Sequence, residues 1–365
     1  MFLIVTRSFP PDIGGMQMLM GGLSESLVNH GPVKVFTYDY PNSNDYDKKS
    51  SLSIERIKGI KIFKKFRKAN LINSFINENP NIRALIVDHW KSLELVKIEN
   101  CKKIKTFCLL HSKEINHEIG SSLNKRLIKS TKNADFIIAN SNFTKELAIK
   151  VGIDKSKINV IFPGIPKPIA VENITKIEAE KIFQNSFPKI ITVARLEKRK
   201  GHDKVLMLIK NLKYKYPKIK YVSIGSGKEE NNLLDLSKEL DIEKHVTFLK
   251  NVDYDLKIAL VSEANLFLMP NRIEKKSVEG FGISFIEAAS YGIGSIGGKD
   301  GGTSDAIVHN KTGIICDGNN LDSIYDSVVS FFKDENFIKY GKNAQKFSEK
   351  FYWEKVVKNY LKLIN

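Results

Sequence analysis

The N-terminal half of the chain alternates short apolar runs with longer stretches in which apolar residues recur at helical spacing. The apolar runs predict buried parallel strands at residues 2–5, 33–37, 84–87, 106–110 and 136–139. The longer stretches predict helices at residues 16–29, 91–99, 121–131 and 144–150. Because strands and helices alternate, this half is predicted to form a doubly wound α/β sheet.

The same pattern begins again after residues 162–168, where several Pro and Gly residues are typical of a link between domains. The second set of predicted strands lies at residues 190–193, 220–224, 246–249, 266–269 and 294–297. The second set of predicted helices lies at residues 202–214, 231–240, 254–261, 283–290 and 321–333. A last amphipathic helix is predicted near residues 353–364. The chain is therefore predicted to contain two Rossmann-like α/β domains that face a cleft, with ligands at the carboxyl ends of the strands.

Length and composition are typical of a soluble globular protein with two hydrophobic cores. The chain has 365 residues, of which 42% are hydrophobic and 27% are charged. We expect neither a signal peptide nor a membrane-spanning segment, since no run approaches the ~18 apolar residues that a span needs. The cysteines Cys101, Cys108 and Cys316 are odd in number and lack metal-ligand spacing, which favours reduced thiols in a cytoplasmic protein.

Positive charge is concentrated in the first half. The formal net charge is +17, and residues 51–150 contain 20 Lys and Arg against 9 Asp and Glu. Such a surface attracts the phosphates of nucleic acid, anionic lipid or a nucleotide. The alternative is a lysine-rich solvated surface without a partner.

Two glutamates with seven residues between them suggest a ligand site. Glu279 and Glu287 flank the predicted start of a helix, and Gly280 and Gly282 lie at that start. Unpaired amides at a helix N-terminus bind anions, and the carboxylates could hold hydroxyls on either side. The separation of about 12 Å at ~1.5 Å per residue is of the order of the span from ribose to hexose in a nucleotide sugar. The alternative is that Glu279 is a solvent-exposed residue of a loop and Glu287 a solvent-exposed residue of the helix.

Other junctions between strand and loop carry related chemistry. Gly14 and Gly15 follow the first predicted strand, and Gly225 and Gly227 follow a strand of the second domain, where a backbone without side chains can approach a phosphate. A tight turn explains each pair equally well. The segment 301–305 (Gly-Gly-Thr-Ser-Asp) offers further amides at another strand end.

Arg195 and Lys200 lie in the loop after the first strand of the second domain. Two cations beside a diphosphate provide charge-assisted bonds and offset the charge of a departing nucleoside diphosphate. The alternative is a solvated basic loop.

Together these motifs resemble the retaining glycosyltransferases of family 4, which have the GT-B fold. The resemblance rests on the Phe-Pro-Pro-x-x-Gly-Gly loop at 9–15, Arg195 with Lys200, Glu279-x7-Glu287, and the segment 301–307 with Thr-Gly at 312–313. Residues 269–282 are most similar to the subgroup of bacterial phosphatidylinositol-mannoside mannosyltransferases and other mannosyl- or glucosyltransferases. The predicted domains are 1–166 on the acceptor side and 167–347 on the donor side, with a C-terminal helix near 348–365 packing back on the first.

The resemblance implies roles for individual residues. Arg195 and Lys200 would bind the donor diphosphate, Glu279 would hold the transferred sugar, Glu287 would bind the ribose hydroxyls, and His111 would stand beside sugar and acceptor. The predicted catalytic residues are His111, Glu279, Arg195 and Lys200. The predicted donor-binding residues are Gly14, Gly15, Arg195, Lys200, Gly225, Gly227, Glu279, Gly280, Phe281, Gly282, Ile283 and Glu287. Ser112 and Asp305 depart from the family pattern, which commonly has glycine and glutamate there.

The family also implies retention at the anomeric carbon without a metal or other cofactor. No side chain stands out as a nucleophile, so we expect substitution on the same face, in which the leaving phosphate oxygen takes the acceptor proton. The Asp-x-Asp strings at 45–47 and 253–255 are the alternatives that suggest a metal, but Asp253 is predicted to cap a helix. His111, Glu114 and His117 lack a third strong ligand for a metal site.

The segment 58–68 is strongly basic and could contact an anionic membrane. The predicted contact residues are Lys58, Lys61, Phe63, Lys64, Lys65, Phe66, Arg67 and Lys68. Ile60, Phe63 and Phe66 would lie on one face of a helix, so a stripe facing the core is the alternative. We therefore predict peripheral association with the inner face of the cell membrane, and an acceptor that is a glycerolipid or a polyprenyl-linked saccharide.

The predicted function is transfer of mannose or glucose from a nucleotide-diphosphate sugar, with GDP-mannose and UDP-glucose as leading donors. A soluble small-molecule acceptor is an alternative. A nucleic-acid-binding protein is a weaker alternative, since no recognition motif accompanies the basic surface. A non-catalytic scaffold conflicts with the intact set of charged residues, and a dehydrogenase conflicts with the absence of the G-x-G-x-x-G fingerprint.

Overall fold

The computed structural model describes residues 1–97, 99 and 103–365, with the backbone alone at positions 61 and 62. Its contacts divide the chain into two compact units: Met1–Pro166 with Phe351–Asn365, and Lys167–Lys350. Cys108 and Cys316 are buried free thiols, and Cys101 lies outside the described residues.

Each unit is built on a parallel sheet. Among the described residues, the sheet of the first unit has seven strands in the order β3-β2-β1-β4-β5-β6-β7: β1 (Phe2–Val5), β2 (Val33–Tyr38), β3 (Ser53–Ile57), β4 (Ala84–Val87), β5 (Lys105–Leu110), β6 (Phe136–Ala139) and β7 (Ile158–Val160). The sheet of the second unit has six described strands in the order β10-β9-β8-β11-β12-β13: β8 (Lys189–Val193), β9 (Lys220–Ile224), β10 (Val246–Leu249), β11 (Leu266–Met269), β12 (Ser295–Gly298) and β13 (Gly313–Cys316).

Helices connect most of these strands. In chain order they are α1 (Gly15–Val28), α2 (Ser43–Lys49), α3 (Lys61–Glu78), α4 (Trp90–Leu93), α5 (Ser122–Thr131), α6 (Asn142–Lys150), α7 (Asn173–Phe183), α8 (His202–Lys215), α9 (Glu230–Glu239), α10 (Tyr254–Glu263), α11 (Ile283–Ser290), α12 (Thr303–Ala306), α13 (Leu321–Phe332), α14 (Asn336–Ser348) and α15 (Trp353–Ile364). In the part of the chain that the structure describes, none of them is long and apolar enough to cross a membrane.

The first sheet is apolar on both faces because helices cover both. Alternate residues of β1 point to opposite sides, so Leu3 and Val5 pack with α3 and α5, whereas Phe2 and Ile4 pack with α1 and α15. The continuous apolar runs that predicted the central strands are a direct consequence of this double burial. The predicted Rossmann-like α/β fold of both halves is confirmed.

The differences from the predicted elements lie at the sheet edges and among the helices, of which α2, α7, α12 and α14 were not predicted. The short or charged strands β3, β7 and β13 were not predicted. The helix predicted at residues 91–99 is wrong, since α4 ends at Leu93. The segment after α4 is bound by the Asn73 side chain of α3, which accepts from the Lys97 amide and donates to the Leu95 carbonyl oxygen. These bonds hold the segment in a non-helical conformation.

Candidate active site

The carboxyl ends of β8, β11 and β12 bring three loops of the second unit together. The β8 loop carries Arg195, Arg199 and Lys200, and the β11 loop carries Glu279 and leads into α11. Gly282, with φ +92°, precedes the first residue of α11, and no side chain caps the helix there. The first amides of α11 are therefore left for another partner, as at the anion sites of other helix N-termini.

Glu279 is the centre of this arrangement. Its Oε2 atom accepts from Lys200 Nζ at 2.5 Å and from Arg199 Nη1 at 2.7 Å. Burial alone would raise the pKa of Glu279, but Lys200 and Arg199 outweigh it and lower the pKa to about 2. Glu279 is therefore a carboxylate at neutral pH, and its second oxygen, Oε1, accepts no hydrogen bond from any described residue.

Arg199 is a member of this cluster that the sequence interpretation missed. It bridges two acids, since Nε donates to Glu197 Oε2 at 2.9 Å while Nη1 contacts Glu279. Arg195, the predicted arginine, has a side chain that is 66% exposed and pairs with Glu197 Oε1 at 3.0 Å. The predicted pair of Lys200 with Glu279 is brought together, whereas Arg195 reaches Glu279 only through the chain Arg195–Glu197–Arg199.

No sequence signal distinguishes Arg199 from its basic neighbours. Lys198, Arg199 and Lys200 are consecutive, and only the short 3₁₀ turn that they form buries Arg199 and Lys200 while leaving Lys198 exposed.

The β12 loop supports Glu279 from its backbone side. The Gly302 amide donates to the Glu279 carbonyl oxygen at 2.9 Å. A Cβ at Gly301, whose φ is +82°, would lie 2.2 Å from that same oxygen. The glycines of this motif therefore allow the loop to pack closely against Glu279.

Gly225 and Gly227 allow another close approach, between the β9 loop and the Arg195 loop. A Cβ at Gly225 would lie 2.1 Å from the Ala194 carbonyl oxygen, and one at Gly227 would lie 2.4 Å from that of Leu196. The absence of side chains at these positions is thus explained by packing between protein loops. Contact of either glycine with a donor stays a prediction.

Glu287 lies in α11 and is half-buried. Its carboxylate forms no ion pair or hydrogen bond with any residue that the structure describes. Burial, and then Tyr291 and Glu287, raise the pKa of Tyr254 to about 12. Carboxylate oxygens without partners among the described residues are suited to accept from ligand hydroxyls.

Comparison with known proteins identifies the family of this chain. A family model described as Glycosyltransferase Family 4 matches residues 13–167, and one described as Glycosyl transferases group 1 matches residues 173–350. The two matches follow one another and span nearly the whole chain. The chain belongs to this glycosyltransferase family.

Relatives and solved structures agree with the family. The glycosyltransferase is 24% identical over 356 residues to the GDP-mannose-dependent alpha-(1-6)-phosphatidylinositol monomannoside mannosyltransferase of Mycobacterium tuberculosis, covering 92% of this chain and 89% of the relative. It is 28% identical over 268 residues to the N-acetyl-alpha-D-glucosaminyl L-malate synthase of Bacillus anthracis, covering 71% and 67%.

Among solved structures, Anabaena HepE in complex with UDP-glucose superposes with a TM-score of 0.81 at 15% identity, covering 99% of this chain and 98% of that one. Sucrose-phosphate synthase of Thermosynechococcus elongatus gives a TM-score of 0.81 at 18% identity, with 99% and 98% covered. The glycosyltransferase therefore has the GT-B fold, as predicted.

Of the other predicted site residues of the glycosyltransferase, Gly280, buried Phe281 and Ile283, the first residue of α11, lie in the second unit, and Gly14, Gly15 and His111 lie in the first. Gly14 precedes α1 and Gly15 begins it, and no side chain caps this helix either. His111 follows β5; its Nε2 donates to the Asp88 carbonyl oxygen at 3.0 Å, and its amide donates to Glu114 Oε1 at 2.5 Å. These bonds fix the ring and leave Nδ1 as the unprotonated nitrogen of the neutral form.

Ser112, where the family commonly has glycine, is buried with φ +89°. This left-handed conformation explains the preference for glycine at the position, because a side chain there is strained.

The predicted membrane segment forms the first turns of α3. Ile60, Phe63 and Phe66 are 71%, 66% and 58% exposed, so the alternative of a stripe facing the core is wrong. Lys58 and Arg67 are also exposed, Lys64 is half-buried, and the side chain of Lys61 lies outside the described residues.

Two lysines of this segment differ from expectation. Lys65 is half-buried and pairs with Glu94 at 2.5 Å. Lys68 is 3% exposed and points into the first unit, so its prediction as a membrane-contact residue is wrong. The charge pattern of the segment does not reveal which face of the helix packs on the sheet.

Several side chains that could suggest a metal site have other partners, and Asp47 pairs with Arg56. Asp253 caps α10 as predicted, accepting from the Leu256 amide at 2.8 Å. Within the described ranges, no three His, Cys, Asp or Glu side chains are grouped so that they could hold a metal ion.

Proposed function

We propose that this glycosyltransferase moves a hexose, mannose or glucose, from a nucleotide-diphosphate sugar to a membrane-associated acceptor, with retention at the anomeric carbon and without a metal ion. The observation that carries the proposal is the buried carboxylate of Glu279, held by Lys200 and Arg199 beside the uncapped start of α11. Each part of this arrangement matches one part of an activated sugar.

The cations and the helix amides suit the diphosphate. Lys200, Arg199 and Arg195 supply three positive charges against Glu197 and Glu279, so the loop keeps a net positive charge. A diphosphate would be attracted to this charge and to the amides of α11, and the charge that grows on the leaving nucleoside diphosphate would be offset without a metal.

The carboxylates suit the sugar hydroxyls. Because both cations contact Oε2 of Glu279, Oε1 can accept from a hydroxyl of the transferred hexose. Glu287 can accept from the ribose hydroxyls. Among the described side chains of this site none stands out as a nucleophile at the anomeric carbon, so we propose same-face substitution in which the leaving phosphate oxygen takes the acceptor proton.

Donor and acceptor classes follow from the named relatives. The mycobacterial relative is a GDP-mannose-dependent mannosyltransferase acting on a phosphatidylinositol mannoside, and HepE was solved with UDP-glucose. We therefore propose GDP-mannose or UDP-glucose as donor, and a glycerolipid or polyprenyl-linked saccharide as acceptor. The exposed apolar and basic face at the start of α3 supports peripheral membrane association.

A soluble acceptor is the second candidate. The observation that favours it is the similarity to the N-acetyl-alpha-D-glucosaminyl L-malate synthase, whose name indicates a small acceptor. Lipid and soluble acceptors are distinguished in the experiment below.

The decisive experiment is a panel of nucleotide sugars read by thermal shift and by release of nucleoside diphosphate, with vesicles or soluble acceptors present. We expect one donor to raise the melting temperature and to be consumed in the presence of EDTA. Glu279→Gln should lower turnover by about 100-fold or more, because it removes the negative charge that holds both cations at Oε2 and that strengthens the bond from the sugar hydroxyl to Oε1.

Glu180→Gln is the matched control, since Glu180 is also an ion-paired glutamate of the second unit but contacts Lys189 outside the site. Its turnover should stay close to that of the wild type. If no nucleotide sugar is bound or consumed, or if Glu279→Gln is as active as the control, the proposal is wrong.

A further inference from the structure

A second cluster of buried charge lies in the first unit, at the carboxyl ends of its central strands β1 and β4. Arg7 follows β1 and Asp88 follows β4. Lys68 reaches the same place from α3, where Nζ donates to the Thr6 carbonyl oxygen at 3.2 Å and lies 4.4 Å from the centre of the Tyr38 ring. Ligands of doubly wound sheets bind at this edge.

The single carboxylate of the cluster is largely occupied by protein donors. Asp88 is fully buried, and its oxygens accept from the Arg7 amide at 2.9 Å and from Ser92 Oγ at 2.7 Å. The Arg7 guanidinium is only in ion-pair range, with Nε 3.7 Å from Asp88 Oδ2. Arg7 and Lys68 therefore exceed the nearby negative charge by one.

The guanidinium of Arg7 is available to a ligand. Its Nε is buried without a hydrogen-bond partner, and neither Nη atom forms a hydrogen bond with any residue that the structure describes. The side chain is nevertheless 38% exposed, so a ligand can reach it. A buried donor without a partner is costly, and a bound oxyanion would remove that cost.

Neighbouring groups add to the positive charge or leave it unchanged. Burial lowers the pKa of Lys68 to about 8, so it is charged at neutral pH. Burial, and then Arg7, lower the pKa of Lys91, a residue of α4. His89 is neutral because burial, with Arg7, lowers its pKa to about 2.

We propose that Arg7, backed by Lys68, binds a phosphate group of the acceptor. A guanidinium presents two parallel N–H donors that match two phosphate oxygens, and a phosphate carries enough charge to balance the excess. His111 is adjacent, because its Nε2 donates to the Asp88 carbonyl oxygen. An acceptor held by its phosphate at Arg7 would thus lie next to the histidine that is predicted to stand beside the transferred sugar. This inference rests on the proposed function.

The test measures binding of glycerol 3-phosphate by calorimetry to the full chain, saturated with the nucleoside diphosphate that the donor panel identifies. Arg7→Gln should weaken binding by about ten-fold or more, because a charge-assisted pair is lost. Arg83→Gln is the matched control: Arg83 belongs to the same unit but precedes β4, at the opposite edge of the sheet. It should bind as the wild type does.

Two further variants keep the test decisive if Arg7→Gln folds poorly. Arg7→Lys retains the charge but loses the paired donors, and Lys68→Met removes the buried charge at similar volume. Both should weaken phosphate binding while the melting temperature shows a folded chain. If Arg7→Lys and Lys68→Met are folded and bind glycerol 3-phosphate like the wild type, the inference is overturned.

A vesicle arm distinguishes the source of the phosphate. Phosphatidylcholine vesicles with and without phosphatidylinositol are compared by co-sedimentation, again for Arg7→Gln against Arg83→Gln. If Arg7→Gln loses binding only to vesicles that contain phosphatidylinositol, the phosphate at Arg7 belongs to a lipid. If it loses binding to glycerol 3-phosphate alone, the phosphate belongs to a soluble acceptor. Equal behaviour of the two variants with both probes contradicts the proposal.

Failure of this inference is separable from failure of the proposed function. Release of nucleoside diphosphate by the wild type without an acceptor tests the proposed function alone, and binding of glycerol 3-phosphate by the Arg7 variants tests this inference alone. A chain that uses no nucleotide sugar refutes the proposed function, whatever its affinity for phosphate.

Discussion

Glu279 and Arg199 show how one carboxylate can be kept ionised inside a protein. Two cations contact the same oxygen, so their attraction exceeds the cost of burial and the acid stays charged far below neutral pH. The same contacts offset part of the positive charge of Lys200 and Arg199. We expect the diphosphate of a donor to share these cations with Glu279, which links binding of the phosphate to placement of the carboxylate at the sugar.

His202 stabilises the loop behind this cluster and makes the chain sensitive to acid. Its Nε2 lies 3.3 Å from the Arg195 carbonyl oxygen, and its Nδ1 lies 3.0 Å from Tyr221 Oη and 3.2 Å from Ser223 Oγ. Burial lowers the pKa of His202 to about 4. The folded state therefore disfavours protonation of His202, whereas the unfolded chain protonates it below its ordinary pKa of 6.5. The contribution of neutral His202 to the unfolding free energy is fully present above pH 6.5 and is lost as pH falls towards 4.

We predict that the unfolding free energy decreases by about 3 kcal/mol on account of this histidine as pH falls from 6.5 to 4. Urea unfolding across that range should show a shallower dependence of unfolding free energy on pH in His202→Gln than in the wild type. His89, buried and neutral as well, contributes equally to both proteins and cancels in the difference. Parallel pH profiles for the two proteins would contradict the assignment.

At the scale of elements, α15 is joined to α1 by a tight steric fit. Trp353, the first residue of α15, occupies the space above two glycines of the first unit. A Cβ at Gly22 of α1 would lie 2.2 Å from Trp353 Nε1, and one at Gly164 would lie 2.4 Å from its ring. The glycine within α1 therefore serves the packing of the last helix.

We predict that Gly22→Ala lowers the unfolding free energy by about 1–3 kcal/mol, because overpacking outweighs the gain in helix propensity. The measurement is denaturant unfolding. In a Trp353→Leu background the same Gly22→Ala change should be neutral or stabilising, since the indole is gone. An equal loss in both backgrounds would show that the indole is not the cause.

At the scale of the whole molecule, the net charge of +17 and the exposed start of α3 bear on membrane association. Lysines and arginines near an anionic surface contribute roughly 1 kcal/mol each, and exposed phenylalanines add apolar contact. We expect charge to attract the chain to such a surface and α3 to determine which side contacts it.

We predict that the wild type co-sediments with anionic vesicles, less so as salt increases, and weakly with neutral vesicles. The double variant Phe63→Ser with Phe66→Ser should lose most of this binding. Ile174→Ser with Ile177→Ser is the matched control, because these residues of α7 are 74% and 56% exposed in the second unit. Equal, negligible binding of the wild type to both kinds of vesicle would refute membrane association, and equal losses in the two double variants would refute the role of α3.

Much of the fold follows from the sequence because central parallel strands are buried on both faces and so must be continuous apolar runs. Edge strands escape this requirement: β3, which contains Glu55 and Arg56, pairs on one side with β2 and carries a pattern too polar to predict. The spacing of Glu279 and Glu287 around a helix start is likewise local, so the sequence alone determined their placement before and within α11.

Tertiary structure decided which of several similar side chains act together. Arg195 and Arg199 belong to one basic loop, and only its turn directs Arg199 rather than Arg195 to Glu279. Lys65 and Lys68 belong to one basic helix, and only its packing exposes one face and buries Lys68 beside Arg7. Sequence patterns encode burial and backbone conformation over a few residues, whereas the partner of a charge depends on segments far apart in the chain that meet only when it folds.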